Sequence, residues 1–142
     1  HRAMMARRSN KAAPGARETV PARELRLRLY AGAHIAMGPG KADLLEAIMR
    51  CGSISAAGRE LGISYKRCWD MVETMNQCFR QSLVITAAGG SHGGGAVVTE
   101  YGHTVLREFR AMERAAEIAI TEPMRALRMR LRARRKSQAG AR

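Results

Sequence analysis

Aromatic side chains and cysteines are scarce in this chain, and a long apolar run is missing altogether. Each shortage closes off a class of function. Two phenylalanines, three tyrosines and one tryptophan amount to 4% of 142 residues. The core must therefore be filled by aliphatic side chains and by methionine, which occurs nine times and lends itself to adaptable cores and interfaces. The cysteines are Cys51, Cys68 and Cys78, an odd number with no CxxC pair. Neither a disulfide framework nor a zinc site is signalled. Cys68 falls on the apolar face of a helical run, and the other two read as inert thiols. His1, His34, His92 and His103 are scattered. No Ser/His/Asp set, carboxylate pair or metal-ligand cluster emerges, so neither an enzyme nor a bound cofactor or metal is expected. No stretch is long and apolar enough to span a bilayer, and no signal peptide is visible. The expectation is a cytoplasmic, reduced protein without a membrane partner. His1, in place of a starting methionine, suggests a vector remnant.

Positive charge is abundant, at a net +13, but it is unevenly placed. Residues 1–28 carry +6, residues 123–142 carry +8, and the stretch between them carries −1. Basic arms supply sequence-independent affinity for nucleic acid by releasing counterions from phosphates. They are equally compatible with solvated tails. The charge and the Pro14, Gly15 and Pro21 breaks divide the chain into a flexible basic arm (1–22), a folded domain (23–122) and a basic tail (123–142).

Within the domain, GSISAAGRELGISYKRCWDMVETMNQCF at 52–79 organises the rest. Ser53 is placed to cap a helix through Ala56, Ala57 and Leu61. Gly62 breaks that helix by taking a left-handed conformation. Ile63 plugs the core, and Ser64 caps a second helix whose Cys68, Val72, Met75 and Phe79 repeat at helical spacing. Two helices that cross steeply need a small residue where they touch, and Ala57 and Gly58 supply it. The first turn of the second helix is left exposed, with Ser64, Tyr65, Lys66 and Arg67. That is what a helix-turn-helix offers to the major groove. An ordinary helical hairpin shares much of the pattern.

The flanking segments complete the picture. Leu25, Leu27 and Leu29 alternate with Arg26, Arg28 and Tyr30, predicting a strand with its arginines on the wet face. KADLLEAIMRC, closed by Gly52, predicts a supporting helix with Leu44, Leu45 and Ile48 inward. SLVIT and AVVT, separated by AAGGSHGGG, predict a β-hairpin wing, with the 25–30 strand as its candidate third strand. A phosphate-binding loop is excluded there, since no Lys-Ser/Thr and no helix follow the glycines. Thr99 is placed to cap a long helix with a seam of Val105, Phe109, Met112, Ala116 and Ala119 or Ile120. That seam either pairs two copies or packs back on its own domain. Pro123 is expected to interrupt the helix or begin a new one. The fold class is mainly α with a small β-hairpin or sheet (α+β), a winged helix-turn-helix with a long C-terminal dimerisation helix.

GSIS at 52–55, GISYK at 62–66, Trp69-Asp70, Met75-Asn76, Leu83-Val84, GGGAVVT at 93–99 and Tyr101-Gly102 together resemble the N-terminal DNA-binding domain of ModE, the molybdate-responsive regulators. The resemblance runs from about Leu25 to Ala116. It implies a winged helix-turn-helix, distantly LysR-like, acting as a homodimer on double-stranded operator DNA. ModE proteins continue into a β-rich molybdate module. The Arg-rich residues after Ala116 do not resemble it, so molybdate is not expected to bind this chain.

The candidate DNA contacts are Ser53, Ser55, Ser64, Tyr65, Lys66, Arg67 and Asp70, with Ser91 and His92 at the wing. Lys66 and Arg67 reach guanine edges or phosphates, and Ser64 and Tyr65 hold the backbone. Asp70 orients Arg67 or accepts from a cytosine. Arg67→Ala is expected to weaken operator binding and relax preference. Trp69 is expected to pack beside the recognition helix, and Asn76 to bond backbone near the following strand. Two-fold pairing implies half-sites about 34–36 Å apart. Equal binding of random and operator DNA would point instead to a nucleoid-type binder, and absence of DNA affinity to a protein-interaction adaptor.

Overall fold

The computed structural model describes residues 25–87 and 94–133. The arm at 1–22, the wing tip with Ser91 and His92, and residues 134–142 lie outside them. Four strands and four helices follow in the order β1 (Leu29–Ala31), β2 (His34–Met37), α1 (Pro39–Cys51), α2 (Ile54–Leu61), α3 (Tyr65–Cys78), β3 (Val84–Thr86), β4 (Ala96–Val98) and α4 (Glu100–Arg128).

The first strand is shorter than its alternation suggests and pairs differently. β1 folds back on β2, with Ala31 opposite His34 and Tyr30 opposite Ile35, and it does not join the wing. Gly32 at φ 61° occupies the first position of the two-residue turn, where a hairpin of this length favours glycine. Pairing through so short a loop costs little closure entropy, whereas joining the wing would tie together distant segments. Leu27 still packs on the core from the extended lead-in.

α1 begins two residues before the expected start, with Pro39 in its first turn, where the missing N–H loses nothing. Its Ala42, Leu44, Leu45, Ala47 and Ile48 are buried, and α2, α3, β4 and α4 all pack around it. Gly52 closes it at φ 79°, donating its N–H to the Ile48 carbonyl at 2.8 Å. Ser53 then accepts the Ala56 N–H at 3.0 Å and starts α2. α2 meets α3 at Gly58. A Cβ there would lie 2.9 Å from both Cys68 Sγ and the Ile63 carbonyl oxygen, so the steep crossing requires glycine.

Asn76 ties α3 to the wing, as expected. Its Oδ1 accepts the N–H groups of Leu83 (2.8 Å) and Val84 (3.2 Å), and its Nδ2 donates to the Val84 carbonyl at 3.0 Å. β3 and β4 pair antiparallel with Ile85 opposite Val97. The β4 end is pinned to the close of α1 by Ala96 N–H donating to the Gly52 carbonyl at 2.9 Å.

Thr99 caps α4, accepting from Gly102 N–H at 2.9 Å while its hydroxyl donates to the Ser82 carbonyl at 2.7 Å. Gly102 is pressed on the wing base; a Cβ there would collide with the Leu83 carbonyl and stand 2.8 Å from Val98 Cγ1. Leu106 and Phe109 bury the first turns of α4. Arg110 then knots α4 to α1. Its guanidinium reaches Asp43 at 2.7 Å, both Glu46 oxygens at 3.0 Å and Glu113 at 2.9 Å. The Glu46 carboxylate is the main cause holding that guanidinium above its ordinary range.

The expected seam therefore divides. Val105 and Phe109 pack on the domain itself, while Met112 and Ala119 are exposed and Ala116 and Ile120 are half-buried. Nor does α4 stop at Pro123; it continues to Arg128. Pro123 and Ala119, whose carbonyl loses its partner, both face solvent, so water can replace the missing hydrogen bond.

Candidate nucleic-acid interface

The candidate surface is built from the start of α3. Ser64 is extended, and its Oγ accepts the Arg67 N–H at 3.1 Å. Cys68, Met71, Val72 and Met75 take the buried side of the helix. At 100° per residue the opposite side carries Lys66, Trp69, Asp70, Glu73 and Gln77. Tyr65, Lys66 and Arg67 are all exposed. The exposed turn follows from the crossing: Gly58 draws α2 onto Cys68, one turn into α3, leaving the turn before it uncovered.

Asp70 does not orient Arg67. It pairs with Lys66 at 3.4 Å across an i,i+4 step, the spacing that brings helical side chains together. Arg67 has no hydrogen-bond or acid partner for its guanidinium among the described residues. Ser55 accepts from Arg59 at 2.9 Å, and the Ser53 hydroxyl is engaged as a cap. Both sit on α2 or its cap, one element away from the first turn of α3.

Trp69 belongs to the recognition helix rather than packing beside it. Its ring is 37% exposed and meets Tyr65 edge-on, with centroids 6.1 Å apart at 78°. A lone tryptophan in an aromatic-poor chain reads as core. The signal pointing the other way is its position one turn from Tyr65 and off the set of Cys68, Val72 and Met75. The wing adds Ile85 and Val97, opposed on its outer face and both exposed.

The thiols carry no reactivity signal. Burial pushes Cys68 up. Cys51 is raised chiefly by donating to the Glu60 carboxylate, at 3.1 Å. Among the described residues there is no group of three or more potential metal ligands, and no helix is long and apolar enough to cross a membrane.

No family model matches the chain. It is 46% identical over 84 residues to the molybdenum-pterin-binding protein MopA of Rhodobacter capsulatus, covering 59% of this chain and 32% of that protein. It is 40% identical over 88 residues to the molybdenum transport protein ModE of Azotobacter vinelandii, 62% of this chain and 33% of that one. It is also 45% identical over 69 residues to the DNA-binding transcriptional dual regulator ModE of Escherichia coli K12, 49% of this chain and 26% of that one. The chain thus spans about a third or less of the length of these curated relatives. Among solved structures it is similar to the full-length LysG of Corynebacterium glutamicum, at 26% identity and a TM-score of 0.44, over 66% of this chain and 29% of that one. Across 69 to 88 residues, the chain is similar in sequence to the ModE and Mop proteins.

Proposed function

We propose that the chain is a sequence-specific DNA-binding transcriptional regulator of the ModE type that grips operator DNA as a homodimer. α3 enters the major groove and the wing lies along the backbone. One observation carries this reading: the capped first turn of α3 stands clear of the protein with its cationic and aromatic side chains outward. Lys66, Tyr65 and Trp69 are placed to meet base edges, and Ser64, Ser53 and Ser55 to flank them. Ser91 and His92 lie outside the described residues, and their contact with the DNA backbone is part of this proposal. The similarity to proteins named as transcriptional regulators supports the same reading.

Pairing of two copies is supported by the far half of α4, where Met112, Ile118 and Leu127 are exposed. Two heads make a two-fold site natural, with half-sites about one helical turn apart. Molybdate has no place in this reading of the described residues, and equilibrium dialysis against molybdate is expected to show no retention.

The test is selection of bound duplexes from a random pool, followed by footprinting and sedimentation. An enriched palindrome protected by a two-chain complex is the expected result. Equal affinity for selected and random duplexes would replace the reading with a non-specific binder. Loss of all duplex affinity at low salt would end it.

A further inference from the structure

Some cations of the described residues are paired with acids. Arg50 pairs with Glu60, Lys66 with Asp70, Arg125 with Glu122, and Arg110 with three carboxylates. Arg28, Lys41 and Arg67 come from three different elements and have no acid partner among the described residues. They nevertheless converge. The Arg28 stem lies over Gly38, with its Cγ 3.5 Å from where a Cβ would stand. Gly38 is three residues before Lys41. Gly40, next to Lys41, abuts Met71 of α3, whose Cε is 3.8 Å from the same construction at Gly40. Arg67 stands one helical turn before Met71 on the same flank. The start of α1 therefore sits against the flank of α3 that Arg67 heads.

Their proximity has an electrostatic signature. The Lys41 ammonium is held below its ordinary value, first by burial and then by the like charge of Arg67, with Arg28 adding to it and Cys78 opposing. A half-buried ammonium facing two guanidiniums without a counter-ion is unfavourable in the free protein. A phosphate placed among them removes the repulsion.

We propose that Arg28, Lys41 and Arg67 form a clamp for a phosphodiester of the DNA backbone, beside the groove that α3 enters. This rests on the DNA-binding reading above and, of the two tasks expected of Arg67, chooses the phosphate over the guanine edge. Arg67 holds the backbone and sets the depth of α3. Base discrimination falls to the outward side, at Lys66, Tyr65 and Trp69. The ligand is a phosphodiester and not a base edge, so the clamp contributes affinity without preference.

The experiment measures binding of the full chain to two 30-base-pair duplexes, one random in sequence and one enriched by selection, across a salt series. The variants are Lys41→Gln, Arg28→Gln and Arg67→Gln, with Arg67→Lys as the charge-preserving control. Thermal melts at low salt verify folding. Each glutamine variant is expected to weaken both duplexes by the same factor. Each is also expected to flatten the slope of log K against log salt by about 0.9, the value for one phosphate contact. Arg67→Lys should recover most of the slope. The melting midpoint of the free glutamine variants should not fall, because the lost charge was repelled. A parent that binds duplex while all three variants keep its slope overturns the clamp and leaves the DNA reading standing. A changed preference in Arg67→Gln overturns the phosphate assignment and makes Arg67 a base reader. A parent that binds no duplex overturns both.

Discussion

The two halves of α3 are built for opposite purposes. From Cys68 to Asn76 every turn is anchored: Cys68, Met71, Val72 and Met75 are buried, and Asn76 makes three hydrogen bonds to the wing. From Tyr65 to Arg67 nothing is buried, and Tyr65 keeps 58% of its surface exposed. The contrast shows how a small domain presents chemistry at a fixed place. The anchored half carries the geometry, so the free half can choose side chains for what they bind. α4 repeats the division. Its first turns lie on the core and are knotted to α1 through Arg110, while farther along Met112, Ile118 and Leu127 are exposed.

If this division is real, substitutions in the anchored half cost stability and those in the free half do not. The largest effect is expected at Met75, which is wholly buried in the hydrophobic core. Met75→Ala removes the side chain and leaves a cavity, at about 2–5 kcal/mol. Denaturant unfolding measures it, and a loss under 1 kcal/mol would mean that the core collapses around the gap. Asn76→Ala comes next. It strands the N–H groups of Leu83 and Val84 and the Val84 carbonyl at the base of the wing, for roughly 2–3 kcal/mol in all, since each buried unpaired group costs about 1–3 kcal/mol and water reaches part of this site. Faster amide exchange at Val84, with α1 still protected, would mark the damage as local to the wing.

Ser64 stands at the border between the halves. Ser64→Ala removes the acceptor for the Arg67 N–H and should cost about 1 kcal/mol, the usual worth of an N-cap. It should also fray the turn that carries Tyr65 and Lys66, so DNA affinity should fall by more than the stability loss accounts for. Equal loss in both measurements would show the turn to be held by something other than its cap.

What the sequence disclosed was chemistry that acts within a few residues. The three caps at Ser53, Ser64 and Thr99, the left-handed glycines at 52 and 62, the small pair at Ala57 and Gly58, and the bond-making Asn76 each stand next to what they control. Hidden features depended on packing between distant segments. β2 has four residues and no alternation, so no sequence pattern announces it. Arg110 finds Asp43 and Glu46 more than sixty positions away, which no periodicity announces. Within the candidate site the first turn of α3 was legible. Arg28 and Lys41 were not, since they come near Arg67 only through the docking of α1 on α3. Trp69 reads as packing beside the recognition helix, yet it stands on α3 itself, off the buried set, and is partly exposed.

The smallest expected effect on stability is also the sharpest probe of the comparison. The Lys66 side chain is 86% exposed, and its contact with Asp70 is a surface ion pair at 3.4 Å. Such pairs contribute about 0–1 kcal/mol and fade with salt. Lys66→Ala should therefore move the unfolding free energy by less than about 0.5 kcal/mol. It also frees Asp70, leaving an unneutralised carboxylate on the outward side of α3. Binding to a selected duplex should then fall by more than removal of one phosphate contact explains, and preference should change at the base pairs next to α3. Lys66→Ala and Asp70→Ala together should recover part of the affinity, because the repulsive carboxylate is gone. A stability change above 1 kcal/mol in the single variant would place Lys66 among the anchors. Unchanged preference would confine base reading to Tyr65 and Trp69, and narrow the free half to its aromatic edge.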